Sequence, residues 1–513
     1  MVFRARPIRR ALSLCITCLL IGGALPQVAQ AQPDAVQAAK SSVAAEIRAQ
    51  VGGKYKDFYG PRGYWPLWVE QDRIGPQADA LLAMIEDSEA DGLDPHRYDS
   101  RNLKRLIEEA DASATPKALA RVDLALSRSF ASLVADMRRP VRGVTIRYLD
   151  KEVEPRDADP SDILRSAALT PSLTDYIQTA GWMSPLYMRL RNARANYLKK
   201  WGDLPDILVP EDVKMRPGGK GADIAALRQR LGLADGDTYD KALVAKVRAF
   251  QTDHGLKPDG VAGAMTVAAL NQGPARYERL LSLNLERARL LPGPWTRNVV
   301  VDAASARLWY YSKGALDGTM KVVAGAKESQ TPLMAGMIRY ATLNPYWNIP
   351  PDLVERKVAP KILNGGSLKA MHYEALTDWS ANPAPLAQSA IDWDAVAAGR
   401  QEVRVRQLPG GDNAMGRIKY MFPNDLGIYL HDTPQRELFA KEDRHFSNGC
   451  VRLEDALRLG RWFFGKLPDA DGDAPEQHVP LPQAVPVYLT YLTAVPTAQG
   501  VQFLPDVYGR DGE

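Results

Sequence analysis

The sequence predicts a multidomain α+β protein in which two helical regions precede a β-rich region. The chain has 513 residues, more than one hydrophobic core usually serves, so several domains are expected. Apolar residues recur at three- and four-residue spacing across residues 41–205 and again across 222–271, which indicates amphipathic helices. From residue 297 to 494 the pattern changes to short β-branched and aromatic runs separated by turn residues, which indicates strands.

Residues 1–31 have the pattern of a secretion signal. Four arginines precede the apolar run ALSLCITCLLIGGAL, and the small residues of Ala29-Gln30-Ala31 predict cleavage after Ala31. A retained membrane anchor is the alternative, but the apolar run is shorter than the roughly 18 residues that a span requires. Lipidation at Cys15 or Cys18 is disfavoured because neither follows a small residue. No later segment is long and apolar enough to span a membrane, so we expect an exported chain without a stable span.

Cleavage of the signal would change the charge and the cysteine content. The signal contains four arginines and no acidic residue, so 61 of the 65 basic residues remain, against 61 acidic residues. The mature chain is then close to neutral, which argues against a nucleic-acid partner. Of three cysteines only Cys450 remains, and a single thiol cannot form an internal disulfide. A single cysteine together with histidines elsewhere is a candidate nucleophile.

The two helical regions differ in what their residues suggest. The aromatic residues Tyr64, Trp65 and Trp68 in the first region could form a sugar-stacking surface, but we favour core packing. A Gly- and Lys-rich linker leads to residues 222–271, where we expect two short amphipathic helices joined by the turn Pro258-Asp259-Gly260.

The β-rich region is interrupted at residues 350–404 by a Pro- and Ala-rich segment, DLVERKVAPKIL to SAIDWDAVAAG, that we expect to be helical. Insertions of this length within a β domain are often functional, and we expect a lid over a binding site. Residues 495–513 are expected to form a C-terminal tail.

The segment IYLHDTPQRELFAKEDRHFSNGCVRLEDALRLGRWFFG contains the candidate catalytic residues. His431 is expected at the end of a strand, and Cys450 follows Ser447-Asn448-Gly449. Helical spacing from Leu453 onward places Cys450 just before a helix N-terminus, where backbone N–H groups and the helix dipole would lower the thiol pKa. The glycine would allow a substrate close to the backbone, and nearby N–H groups could hold an oxyanion.

Three other interpretations of these residues were considered. Cys450 could be an inert core thiol, although its polar neighbours make poor core packing. His431, Asp432, His445 and Cys450 could bind a metal, although there is no second cysteine and no closely spaced ligand pair. His445 could be the base in place of His431, although a position five residues from the thiol on one loop offers no rigid platform. We therefore expect Cys450 and His431 to act together and no metal to be bound.

At the level of these motifs the chain resembles the YkuD-type L,D-transpeptidases, specifically the large subfamily with an N-terminal scaffold domain and a peptidoglycan-binding domain. The resemblance depends on RQLPGGDNAMGRIKYMFPN, IYLHDTP, SNGCVRL, VPVYLTYLTA and DVYGRD in the β-rich region. In the small helical region it depends on Phe250-Gln251 and on the turn Asp259-Gly260-Val261.

The resemblance implies a role for each residue of the motif. Cys450 would be the acyl-enzyme nucleophile, His431 its proton acceptor, and Gly449 with the Cys450 backbone the oxyanion hole. Arg452 would support the loop or bind a stem-peptide carboxylate, and Ser447 and Asn448 would contribute to the oxyanion or substrate site. Many family members have a histidine where this chain has Asn448, and because asparagine carries no proton at neutral pH the base assignment depends on His431.

The implied function is the formation of 3-3 crosslinks between peptidoglycan stem peptides in the periplasm. A donor tetrapeptide would acylate the cysteine and release D-Ala, no cofactor would be required, and carbapenems would acylate the same thiol. Three alternatives remain open: an L,D-carboxypeptidase or endopeptidase, a transferase that anchors a protein to the wall, and a noncatalytic scaffold that binds peptidoglycan stem peptides or glycan.

Overall fold

The computed structural model describes residues 31–139, 144–155, 158–211, 214–380, 382–498 and 500–512, excluding the side chains of residues 31–40. The predicted signal peptide lies outside the described residues, except for Ala31. None of the helices in the described part of the chain is long and apolar enough to cross a membrane. The predicted multidomain α+β fold is confirmed, with a helical first half and a β-rich second half.

The N-terminal domain is a helical bundle around helix α5. Thr115 caps α5 by accepting a hydrogen bond from the Ala118 N–H, and Pro116 occupies its first turn. Trp68 is fully buried and donates to Ser127 Oγ at 2.9 Å, so it belongs to the core as predicted. The elements are helices α1 (Ala31–Gln50), α2 (Lys56–Tyr59), α3 (Gln77–Glu86), α4 (Ser100–Ser113), α5 (Pro116–Arg138), α6 (Pro160–Ala168), α7 (Leu173–Gln178) and α8 (Pro185–Tyr197), with strands β1 (Val69–Glu70), β2 (Arg73–Ile74) and β3 (Arg147–Tyr148).

The second helical region contains three short helices, not the two that we predicted. Helices α9 (Ala222–Arg230), α10 (Lys241–Asp253) and α11 (Ala264–Asn271) are followed by the long helix α12 (Gly273–Arg289). The Gln251 side chain joins α10 to the turn: its Nε2 donates to Asp259 Oδ1 at 3.0 Å, and its Oε1 accepts from the Gly260 N–H at 2.8 Å. Gly260 has a φ of 75°, which favours glycine.

The β-rich region forms a sheet of ten strands that closes on itself. Strand β12 pairs with β13 at one end and with β7 at the other, so the order runs β12-β13-β15-β6-β5-β4-β16-β7 and returns to β12. The elements are strands β4 (Asn298–Asp302), β5 (Arg307–Ser312), β6 (Ala315–Gly325), β7 (Met334–Leu343), β8 (Trp347–Ile349), β9 (Tyr373–Leu376), β10 (Pro385–Leu386), β11 (Arg404–Gln407), β12 (Ile418–Met421), β13 (Leu430–His431), β14 (His445–Ser447), β15 (Val451–Leu453) and β16 (Gln477–Thr490), with helices α13 (Pro351–Leu353), α14 (Ala359–Leu363), α15 (Trp393–Ala397) and α16 (Ala456–Phe464).

The two faces of this sheet explain the apolar run of strand β4. Val299 and Val301 belong to the core inside the closed sheet, whereas Val300 belongs to the core shared with the helical domains. Successive side chains on a strand point to opposite faces, so a strand covered on both faces is apolar throughout. Strand β3 of the N-terminal domain adds to the same sheet by pairing with β7.

The inserted segment is not purely helical, which corrects our prediction. It contains strands β9 and β10, which join β11 and β8 in a separate antiparallel sheet of order β10-β9-β11-β8. This sheet and the inserted helices have their own core, which includes Leu353, Ile362 and Trp393. Short strands that pair with partners about 30 residues away are not visible in the local spacing of apolar residues.

The C-terminal residues pack against both the helical domains and the closed sheet. Strands β17 (Ala494–Pro496) and β18 (Val501–Phe503) form an antiparallel hairpin. The Phe503 ring contacts Tyr197, His254 and Tyr277, with centroids 4.6 to 5.7 Å apart. The chain end is therefore attached to the second helical region.

Candidate active site

Strand β13 places His431 between two cationic side chains. It pairs with β12 so that His431 lies opposite Lys419, and in parallel with β15 so that His431 lies opposite Arg452. The same parallel register, with Leu430 opposite Val451, puts Tyr429 opposite Cys450. Residues two apart on a strand share a face, so Tyr429 with His431 and Cys450 with Arg452 lie on one side of the sheet.

The His431 imidazole is buried and has one fixed nitrogen. Its side chain is 2% exposed, and Nδ1 lies 2.6 Å from the carbonyl oxygen of Asp432. Because a carbonyl oxygen only accepts, Nδ1 carries the proton and Nε2 keeps its lone pair. Burial, with Arg452 and Lys419 nearby, lowers the pKa of His431 to about 3. The residue is therefore a neutral imidazole at physiological pH.

Cys450 does not lie at a helix N-terminus, which corrects the sequence-based prediction. Strand β15 follows it directly, and helix α16 begins only at Ala456, capped by the Asp455 side chain. The strand is three residues long. The four-residue spacing of Leu453 and Leu457 is typical of a helix, so the helix was predicted to begin before its actual start. The helix dipole therefore has no role at this sulfur, because its effect is confined to the first turn.

The pKa of the Cys450 thiol is raised, not lowered. Desolvation by the surrounding protein raises it to about 11 even though Cys450 keeps part of its surface exposed, and Tyr429 and the charge of Arg452 act in the opposite direction. The sulfur donates a hydrogen bond to the Gly427 carbonyl oxygen at 3.4 Å. The prediction of a low thiol pKa is wrong, and in the absence of substrate this thiol is protonated at neutral pH.

Tyr429 is a site residue that the sequence analysis missed. Its side chain lies beside the Cys450 thiol, and burial, together with that thiol, raises the pKa of Tyr429 well above its ordinary value. The Tyr429 ring also contacts the His431 ring edge to face, with centroids 5.7 Å apart. A signal was present in the sequence, because Tyr429 and His431 are two residues apart in a predicted strand.

The motif before the cysteine forms a tight turn. Ser447 Oγ donates to the Cys450 carbonyl oxygen at 2.5 Å and accepts from the Gly449 N–H at 3.2 Å. Gly449 has a φ of 106°, so a side chain there would be strained. Because the Gly449 N–H is engaged, only the Cys450 N–H of the two expected oxyanion donors has no acceptor in the described part of the chain. Asn448 is exposed.

Arg452 and His445 occupy different surroundings. Arg452 donates to the Gln435 side chain, while its Nε is buried and has no partner among the described residues. Both ring nitrogens of His445 face acceptors: Nδ1 lies 2.6 Å from Asp443 Oδ1, and Nε2 lies 2.8 Å from the Ala303 carbonyl oxygen. His445 therefore has no free nitrogen to act on the thiol, whereas His431 has one.

Within the described ranges, no three His, Cys, Asp or Glu side chains form a group that could hold a metal. The arrangement brings together a thiol, a neutral imidazole with a free nitrogen, a phenol and a free backbone N–H. These groups are suited to acyl transfer through a thioester.

Comparison with known families confirms the resemblance that the motifs suggested. Residues 296–469 match the family model of the L,D-transpeptidase catalytic domain, named YkuD. Residues 53–193 match the model of a scaffold domain, and residues 221–270 match a model described as "Putative peptidoglycan binding domain".

A Haemophilus influenzae protein named "Putative L,D-transpeptidase" is 31% identical over 238 residues, which span 45% of this chain and 48% of that protein. Among solved structures, an L,D-transpeptidase from Xylanimonas cellulosilytica matches 55% of this chain and 98% of its own at 17% identity, with a TM-score of 0.17. The L,D-transpeptidase of Mycobacterium smegmatis matches 38% of this chain and 58% of its own at 12% identity, with a TM-score of 0.19. Both TM-scores are low, so the resemblance depends on the sequence matches.

Proposed function

We propose that this chain, whose residues 296–469 match the catalytic-domain model of the L,D-transpeptidases, is a cysteine acyltransferase that crosslinks peptidoglycan stem peptides. The predicted signal peptide supports action in the periplasm. The region that matches a peptidoglycan-binding model would hold the enzyme on its polymeric substrate.

The observation that carries the proposal is the parallel pairing of β13 with β15. It gathers Cys450, Tyr429, His431 and Arg452 on one face, where the imidazole keeps one free nitrogen. A thiol and a base that are held together on adjacent strands form a preorganised nucleophile, which the chemistry of thioester formation requires.

In the proposed acylation, the Cys450 sulfur attacks the carbonyl carbon of the third residue of a donor tetrapeptide. His431 Nε2 takes the thiol proton during the attack, since both groups are neutral beforehand. The Cys450 N–H donates to the oxyanion of the tetrahedral intermediate. When the intermediate collapses, the amide C–N bond breaks, the imidazolium proton passes to the nitrogen of D-Ala, and a thioester remains on Cys450.

In the second step, the side-chain amine of a neighbouring stem attacks the thioester carbonyl. The C–S bond breaks, the sulfur recovers a proton, and a 3-3 peptide crosslink is released. The neutral state of His431 at physiological pH suits it to take up a proton from this amine.

The test is product analysis by mass spectrometry after incubation of the full chain with disaccharide tetrapeptide, with Cys450→Ala as control. Crosslinked dimers and free D-Ala that depend on Cys450 would support the proposal. Tripeptide without dimers would instead indicate a carboxypeptidase. A muropeptide attached to an added acceptor protein would indicate a wall-anchoring transferase. No product from either protein, with sacculus binding retained, would leave a noncatalytic wall-binding scaffold.

A further inference from the structure

The carbonyl group of Gly449 is held by a buried threonine from another loop. Thr331 is fully buried, and its Oγ1 donates to the Gly449 carbonyl oxygen at 2.8 Å and accepts from the Gly325 N–H at 2.9 Å. The Gly449 carbonyl and the Cys450 N–H belong to the same planar, trans peptide unit. Fixing the carbonyl therefore also fixes the Cys450 N–H, which points in the opposite direction and has no acceptor among the residues that the structure describes.

Thr331 is in turn held by the C-terminal segment of the chain. The Tyr508 hydroxyl donates to the Gly325 carbonyl oxygen at 2.6 Å and lies 3.4 Å from the Thr331 N–H, which donates to it. Arg510 donates through Nε to Gln330 Oε1 at 3.0 Å and through Nη2 to the Thr331 carbonyl oxygen at 3.2 Å. The backbone on both sides of Thr331 is thus bound by two residues more than 170 positions away.

The C-terminal segment is itself held in place by several contacts. The Asp506 carboxylate accepts from the Tyr491 hydroxyl at 2.9 Å and from the Asp511 N–H at 2.8 Å. The rings of Tyr491 and Tyr508 stack with centroids 4.9 Å apart, and Asp511 pairs with the buried Arg287 of helix α12 at 2.7 Å. The segment therefore transmits a fixed position to the loop at residues 325–331.

We propose that Tyr508 and Arg510 are positioning residues that aim the Cys450 N–H as the oxyanion donor, acting through Thr331 and the Gly449 carbonyl. This inference rests on the proposed function, because it assigns the Cys450 N–H a role in acyl transfer. It makes the C-terminal segment a component of the active site and not a passive tail.

An oxyanion donor accelerates only reactions that develop an oxyanion. A variant that misplaces the Cys450 N–H can therefore be distinguished from one that disturbs the whole site. Acylation of Cys450 by p-nitrophenyl acetate passes through a tetrahedral oxyanion and requires no stem-peptide recognition. Alkylation of the same thiol by iodoacetamide displaces iodide at a saturated carbon and forms no oxyanion. The ratio of the two rates thus reports the donor alone.

The experiment compares Tyr508→Phe, Arg510→Gln and Thr331→Val with wild type, using the full chain and both reagents. Loss of one oxyanion donor costs about 10² to 10³-fold; we expect that range for Thr331→Val and about 10-fold for the other two. The loss should fall on the acylation rate constant and not on the ester concentration at half-saturation. Alkylation should stay within about 2-fold of wild type, because the sulfur and His431 are unchanged.

The matched control is Tyr277→Phe, which also removes a buried tyrosine hydroxyl that donates to a carbonyl oxygen, at 2.9 Å from Ala269. It should change neither rate. Equal falls of acylation and alkylation, or no fall in either, would overturn the positioning role. Wild-type protein that reacts with the ester but never with the tetrapeptide would contradict the proposed function and leave the positioning result readable.

Discussion

Two segments of the active site each carry a histidine, and the two imidazoles differ in their hydrogen bonds. In segment 427–432, His431 gives one nitrogen to a backbone carbonyl and keeps the other free. In segment 443–450, His445 is nearer to Cys450 along the chain, yet both of its nitrogens face acceptors. Hydrogen-bond partners, and not distance in sequence, therefore decide which imidazole is available as a base.

The largest expected effect comes from replacing the two histidines by the same residue. His431→Asn should lower the rate of D-Ala release from tetrapeptide by about 10² to 10⁴-fold, the usual contribution of a general base. His445→Asn loses its bonds to Asp443 and Ala303 and its edge contact with the Tyr508 ring, but no group that could take the thiol proton, so its rate should fall far less, by no more than about 10-fold. The measurement is steady-state release of D-Ala, with circular dichroism to verify folding. Equal losses of the D-Ala release rate in both variants would show that His431 is not the specific base.

The second prediction concerns the ionisation of the thiol between the segments. Because the pKa of Cys450 is raised to about 11, its rate of alkylation by iodoacetamide should still be rising at pH 9 and should reach its midpoint only near pH 11. The charge of Arg452 opposes this rise, so Arg452→Gln should shift the midpoint to still higher pH, whereas the exposed Lys466→Gln should not. A midpoint near the ordinary thiol pKa of about 8.5 would show that the protein does not raise the pKa of Cys450.

The third prediction concerns stability in acid and isolates His431. Its folded pKa lies below the ordinary value of 6.5, so the unfolded chain binds the proton more tightly. The stabilising contribution is complete above about pH 6.5 and is lost as the pH falls toward 3, by at most about 1.4 kcal/mol per pH unit. His431→Asn lacks this loss, so the difference in unfolding free energy between wild type and variant should shrink from pH 7.5 to pH 5.

Urea unfolding followed by tryptophan fluorescence at pH 7.5, 6 and 5 measures this difference, and all other titrating groups are shared by the two proteins. A difference that stays constant over this range would show that His431 is not held neutral by the fold.

The smallest effects are expected within segment 443–450, away from the two histidines. Ser447→Ala removes the hydroxyl that bridges the Cys450 carbonyl and the Gly449 N–H, which should cost about 1 to 3 kcal/mol of stability. Asn448→Ala changes an exposed side chain and should alter stability by less than about 0.5 kcal/mol. Urea midpoints of the two variants provide the comparison, and a larger cost for Asn448→Ala would reverse the assignment of roles in this turn.

The sequence predicted the features that depend on local pattern and missed those that depend on distant pairing. Apolar spacing located the change from helices to strands, and the motif selected Cys450 and His431 as candidates. The helix after Cys450 was placed too early because a three-residue strand, Val451–Leu453, carries too few residues to show its period.

Other features could not have been read from spacing at all. The link from Tyr508 to Gly325 joins residues 183 positions apart, and no local pattern encodes it. The raised pKa of Cys450 follows from burial, which the assembled sheet creates. Tyr429 is an intermediate case: strand alternation in the sequence places it on the same face as His431, whereas its position beside Cys450 depends on the pairing of β13 with β15.

The pairing of Cys450 as nucleophile with His431 as base is tested by mapping the acyl-enzyme by mass spectrometry. The chain is mixed with disaccharide tetrapeptide, quenched in acid within seconds, and digested, with Cys450→Ala and His431→Asn in parallel. We expect a disaccharide-tripeptide thioester on Cys450 in wild type, accumulation at least about 10²-fold slower in His431→Asn, and none in Cys450→Ala. An adduct on another residue, or equal accumulation in His431→Asn, would contradict the pairing of Cys450 with His431.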